Sequence, residues 1–192
     1  MPVGFLTDEQ ARRYGRFAAP PTREQLDRHF YLDERDRRLI AEKRREYNRL
    51  GFGVQLGTVR FLGTFLADPT DVPKAVAAHV ARQLEISDPG VLSEYARRPN
   101  TFREHALEIR REYGYKDYSD PAERLGLLRF LYARAWLWSD GPSVLFDLAT
   151  ARLAERKVLL PGVSTLAREV ARVRDRVSQR LWATIARAPD LV

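Results

Sequence analysis

Apolar residues in this 192-residue chain recur at intervals of three and four and almost never alternate at two, which commits it to helices and excludes a sheet-based fold. Proline and glycine punctuate the pattern at spacings that suit short helices. Thr7 with Gln10 forms a capping-box signature and predicts a first helix from Asp8 to Phe17. Thr22 with Gln25, after Pro20-Pro21, predicts a second ending at Phe30, and Asp33 caps a third over Glu34 to Asn48. Arg44 to Phe52 reads as a charged helix stopped at a Leu-Gly break, followed by an apolar helix Gly53 to Leu66. The Asp68-Pro69 turn then leads to a helix Lys74 to Leu84 with Pro73 at its first position. A short helix ends near Arg97-Arg98-Pro99. Further helices follow over Thr101 to Tyr113, Pro121 to Trp138, Ser143 to Lys157 and Ser164 to Ile185, separated at Gly114, Asp140-Gly141-Pro142 and Leu160-Pro161-Gly162.

The expected fold is therefore all-α: two tandem small helical bundles, residues 1–98 and 99–192, each with a helix-turn-helix-like unit. A weak internal similarity supports tandem modules. Ile40 to Leu50 and Leu107 to Tyr115 share an Arg-Glu-Tyr ending, and Arg60-Phe61-Leu62 matches Arg129-Phe130-Leu131.

Without cysteine the chain has no disulfide, thiolate metal site or cysteine nucleophile. Its three histidines, His29, His79 and His105, are scattered over different helices without ligand spacing, so no metal or other cofactor is expected. No phosphate-cradling glycine loop follows a strand, no serine elbow occurs, and no pair of carboxylates has a recognisable partner, so the chain reads as a binding fragment and not an enzyme. No apolar run reaches membrane-spanning length, and Met1 to Phe5 lacks a signal core, so a cytoplasmic location is expected.

Charge points to the partner. The net charge is +7 with a pI near 10.0, which favours a polyanion. Residues 1–98 carry net +3 and residues 99–192 net +4, but Arg152 to Arg187 alone holds nine basic and three acidic residues. In the last helix Arg168, Arg172, Arg176 and Arg180 recur every four residues opposite Leu166, Val170, Val173, Val177, Leu181 and Ile185. Like charges at that spacing repel by a few tenths of a kcal/mol per pair, and Glu169 and Asp175 are the nearby acids. A phosphate backbone is the natural counter-charge, with a solvated face or acids from another helix as the alternative. Ser164 and Thr165 stand where a recognition helix presents its first side chains, and Arg168, Arg172 and Arg176 follow them toward bases and phosphates. In the first module Val76, Val80 and Leu84 form the apolar stripe of their helix. Lys74, His79 and Arg82 lie off it toward DNA, and Arg60 supports the backbone. The aromatics Phe130, Tyr132, Trp136, Trp138 and Phe146 fall among leucines and read as core.

Several stretches resemble the amino-terminal region of the replicative transposases of the Tn-three family: Phe5 to Ala11 with Tyr14-Gly15-Arg16-Phe17, Asn48 to Phe52, Gln55-Leu56 with Thr58 to Leu66, and Leu160 to Leu166. Gly53, Val54 and Gly57 depart from that pattern and are expected to loosen a helix start. The resemblance implies helical modules that bind the terminal inverted repeats of the transposon, with an acidic catalytic triad lying in a much later region of the polypeptide. On that basis the end at Val192 reads as a truncation. The partners implied are double-stranded DNA and the rest of the transposase, with possible self-association and no membrane. Two other readings remain open: a helical protein-interaction module, and a truncated regulator that occupies transposon ends.

Overall fold

The computed structural model describes residues 4–97, 99–138 and 140–186, with Pro99 described by its backbone alone. The all-α expectation is met: the described residues form α1 (Asp8–Arg13), α2 (Arg23–His29), α3 (Glu34–Ala41), α4 (Glu46–Leu62), α5 (Lys74–Gln83), a 3-10 turn (Pro89–Val91), α6 (Leu92–Tyr95), α7 (Pro99–Tyr113), α8 (Pro121–Leu137), α9 (Pro142–Glu155) and α10 (Val163–Ile185), with no strand. They fall into two compact units, Arg12–Lys116 and Met1–Ala11 joined with Asp117–Val192. The expected division at 98/99 lies inside the first unit, because α7 packs on α4 and buries Ile109 and His105 there.

In the 12–116 unit α4 is the hub, packed by α2, α3, α5, α6 and α7. Every residue from Leu50 to Val59 is buried, which suits a stretch with no charged side chain. The Leu50-Gly51 break expected from sequence is absent. The chain turns earlier, at Arg45, whose backbone is extended, and α4 then runs unbroken through its glycines to Gly63. These glycines mark close approach and not a helix end or a loosened start. A methyl group at Gly51 would overlap the Tyr95 ring, and one at Gly57 the Phe30 ring. Each glycine costs about 1 kcal/mol of helix propensity, while seating a large side chain against it recovers about 1.5–3 kcal/mol of apolar burial. Positive φ at Gly63 (73°) ends the helix, its N–H bonded to the Val59 carbonyl.

Two polar networks fasten the hub. Asp36 of α3, fully buried, accepts from Arg60 Nη1 and Nη2 of α4 at 2.8 and 2.9 Å and from the Tyr113 hydroxyl of α7 at 2.6 Å. Gln55 donates to the Tyr95 hydroxyl at 2.6 Å, which is hydrogen-bonded to His105 Nδ1 at 2.7 Å; Gln55 also donates to the Phe102 carbonyl at 3.1 Å. Buried polar groups satisfied in this way fix one packing arrangement.

The 117–186 unit is a three-helix bundle joined by residues 4–11, where the Ser143 hydroxyl donates to the Phe5 carbonyl at 2.9 Å. Arg124 meets Glu169 and Arg180 meets Tyr132, so α8 and α10 run in the same sense. Arg156 meets Glu123 at 2.8 Å, so α9 runs in the opposite one. Leu127, Leu131, Leu145, Phe146, Leu153 and Leu166 lead the core. Of the five aromatics read as core, Phe146 is buried but Trp136 and Trp138 are exposed, since they sit on the last turns of α8. The internal similarity has no structural counterpart: Ile40 to Leu50 spans the α3–α4 turn, whereas Leu107 to Tyr115 runs through the end of α7.

Candidate nucleic-acid interface

The N-terminal turns of α10 follow directly from local sequence. Gly162 is the N-cap, and the Leu166 N–H reaches its carbonyl at 3.2 Å. Ser164 and Thr165 therefore lie inside the first turn instead of capping it; Ser164 is exposed and Thr165 half-buried. Leu166, Ala167, Val170, Val173 and Val177 face the bundle. That leaves Ser164, Arg168, Arg172, Arg176 and Arg180 along the exposed side. At 1.5 Å rise per residue the arginines stand about 6 Å apart, and the row from Arg168 to Arg180 is about 18 Å long.

Counter-charges are scarce along the row. Glu169 was expected to offset it, but Glu169 is buried and bonded to Arg124 of α8; Arg172 approaches it only at 3.8 Å. Arg168 donates to the Ser164 carbonyl at 3.1 Å, and Arg180 to the Tyr132 hydroxyl at 3.3 Å. Among the described residues Arg168, Arg174, Arg176 and Arg180 have no carboxylate within ion-pairing distance. Apart from the long Arg172–Glu169 contact, this surface can neutralise a polyanion without first breaking ion pairs of its own.

In the 12–116 unit the C-terminus of α5 is clamped by side chains. Gln83 accepts from the Leu32 N–H at 2.9 Å and donates to the Phe30 carbonyl at 2.8 Å, while Arg37 donates to the Gln83 carbonyl at 2.6 Å. Pro73 is the N-cap and not the first helical residue. Val76, Ala77, Val80 and Ala81 pack inward, so Lys74, Ala75, Ala78 and Arg82 form the exposed face. Lys74 and Arg82 are both exposed there.

His79 is not. Its Nε2 is buried and meets no hydrogen-bond partner among the described residues. Burial and the neighbouring Arg82 lower its pKa, against the attraction of Asp27, so the ring is neutral at pH 7 and turned away from the face assigned to it. Arg60 is the second correction. Its guanidinium is committed to Asp36 and to the Tyr31 carbonyl at 3.1 Å, and it lies against the Tyr113 ring at 5.3 Å, so its hydrogen bonds are spent on bracing the core. Both errors come from reading one helix at a time, because the groups that claim these side chains are distant in sequence. No three His, Asp or Glu among the described residues are grouped to hold a metal ion.

The connections 63–73 and 156–162, which precede α5 and α10, are longer than the three- or four-residue turn of the tightest helix-turn-helix. The chain matches, over residues 5–173, the family described as a domain of unknown function (DUF4158). It is 50% identical over 190 residues to the transposase for transposon gamma-delta of Escherichia coli (strain K12), covering 99% of this chain and 19% of that one. It is 30% identical to the transposase for transposon Tn1546 of Enterococcus faecium, covering 96% of this chain and 18% of that one. It is also 30% identical to the transposase for transposon Tn501 of Pseudomonas aeruginosa, covering 88% and 17% respectively. The chain spans about a fifth of the length of these relatives. With the family match over residues 5–173 and this identity along almost its whole length, the chain belongs to the transposases of the Tn-three family, as an amino-terminal part of such a polypeptide.

Proposed function

We propose that this chain is the part of a transposase that recognises the terminal inverted repeats of its transposon as duplex DNA, while the bond-breaking chemistry belongs to another region of the polypeptide. The observation that carries this reading is the exposed arginine row of α10, in which Arg168, Arg176 and Arg180 lack carboxylate partners among the described residues and Arg172 has only a 3.8 Å approach to Glu169, in a chain similar to transposases over 99% of its length. Ser164, Thr165 and Arg168 meet base edges at the start of α10, and Arg172 and Arg176 meet phosphates. Lys74 and Arg82 of α5 supply a second, smaller contact. The partners are the repeat DNA and the remainder of the transposase, in the cytoplasm.

The test is a fluorescence-anisotropy titration of the 192-residue chain against a terminal repeat and a scrambled duplex across a salt series. Preference for the repeat by about a thousandfold or more supports end recognition. Arg176→Ala should weaken both duplexes alike and reduce the salt slope by about 0.9, the value of one lost phosphate contact. Arg168→Ala should cost about 1–3 kcal/mol on the repeat and much less on the scrambled duplex. Binding that ignores both changes and ignores salt would sink the proposal and leave a protein-assembly module.

A further inference from the structure

The end of the 117–186 unit where α8 and α10 finish exposes what a small bundle normally buries. Leu137 and Trp182 are each 72% exposed, Ile185 62% and Trp138 56%. The cause is legible in the helix: the stripe Leu166, Val170, Val173, Val177 continues as Leu181 and Ile185, but α8 ends at Leu137, and the last turns of α10 carry that stripe in the open. The surface is shaped. Trp136, Leu137, Trp138 and Leu181 line a depression of about 290 Å³ with Arg174 at its edge. Tyr132, Ala133, Trp136 and Leu137 line a second of about 390 Å³ edged by Arg180. Contiguous exposed apolar surface rimmed by polar groups marks an interaction site.

The rim decides what fits. Arg174 and Arg180 have no carboxylate partner among the described residues, and Arg134 is held by Asp140 at 2.9 Å. Asp140, which also lines the first depression, is offset by Arg134, and Asp175 is the one acid on the last three turns of α10, so Arg174 and Arg180 leave the border net positive. A second copy in a two-fold pair would bring the same arginines against these, like charge to like. Nucleic acid would satisfy the arginines but not the apolar floor. Tyr132 and Trp136 already stack on each other at 6.2 Å, and Arg134 covers Trp138 at 4.9 Å. Leu137, Leu181 and Ile185 offer no ring face to a base, which is what single-strand binding requires.

We propose that this end of the unit is a docking surface for an amphipathic helix of a protein partner. Its apolar stripe covers Trp136, Leu137, Leu181 and Trp182, and its flanking aspartates and glutamates meet Arg174 and Arg180. This site is separate from the exposed arginine row assigned to DNA, apart from Arg180, and stands or falls without it.

The test uses the 192-residue chain and a synthetic helical peptide with leucine and phenylalanine along one face and glutamate on both flanks, followed by tryptophan fluorescence. A matched peptide with lysine for glutamate, and a single-stranded oligothymidylate, complete the set. The glutamate peptide should bind and blue-shift the emission, with the lysine peptide weaker by about tenfold or more. Trp182→Ala and Leu137→Ala, both at exposed positions, should each weaken binding while the circular dichroism stays unchanged. The double variant Arg174→Glu, Arg180→Glu should reverse the preference between the two peptides. No binding, or equal binding of the two peptides, overturns the proposal. So does displacement of the peptide by oligothymidylate, which would mark a base-stacking surface. Self-association of the free chain that Trp182→Ala abolishes would overturn it too, in favour of a second copy.

Discussion

Asp36 sits fully buried between Arg60 and Tyr113, so removing either donor strands a carboxylate in the core. Burial raises its pKa, but the hydrogen bonds from Arg60 and Tyr113 and the charge of Arg60 outweigh that, and the folded value lies below the ordinary 3.8. A depressed acid stabilises the fold above its unfolded pKa and loses that contribution as pH falls through the folded one. The Asp36 contribution is therefore intact above about pH 4 and is lost below it. Arg60→Ala should destabilise the chain by about 3–5 kcal/mol in urea titration, without a selective loss of DNA affinity. His105 acts in a different window. Burial and the nearby Lys43 lower its pKa from 6.5 to about 4, against the pull of Glu108. Between those values the unfolded chain binds a proton that the folded chain does not, so stability falls on acidification from pH 6.5 toward 4. His105→Gln should flatten that slope while leaving the loss below pH 4 in place, as read from urea midpoints across pH.

The hub helix α4 shows why glycine is ambiguous in a sequence. The same residue type that reads as a break at Leu50-Gly51 is, in the fold, the space into which Tyr95 packs, and only α6 supplies that ring. Gly57→Ala should cost about 1–3 kcal/mol through overpacking against Phe30, more than the helix propensity it gains. Gly126, inside α8, has no atom within 4 Å of a would-be Cβ, so Gly126→Ala should stabilise the chain by about 0.5–1 kcal/mol. Opposite signs in thermal melts check the packing account; a gain at Gly57 would contradict it. Where the signal was local, the sequence was sufficient. The capping boxes at Thr22-Gln25 and Asp33 and the breaks before Pro121 and Pro142 fall where the side-chain chemistry places them. Asp36 completes its box from the N3 position while also serving the core, a second role no local pattern announces.

At the scale of the molecule the unit boundary has a direct consequence. A fragment 12–116 retains α7 with Tyr113 and His105 and should unfold in one cooperative urea transition. A fragment 12–98 loses both partners of the buried networks and should lack a dispersed amide spectrum. A folded 12–98 fragment would show that α7 is an accessory. The sequence by itself determined the all-α class, most helix positions, the exposed arginine row of α10 and the family, because these rest on periodicity, capping chemistry and residue identity within a few turns. Tertiary structure alone decided that α7 joins the first unit, that Arg60 and His79 turn inward, that Glu169 serves Arg124, and that Trp136, Trp138 and Trp182 stay exposed. Each of these depends on which distant side chain claims a group or leaves it uncovered. A helix has one period but many possible neighbours, and its sequence states the period without naming the neighbour.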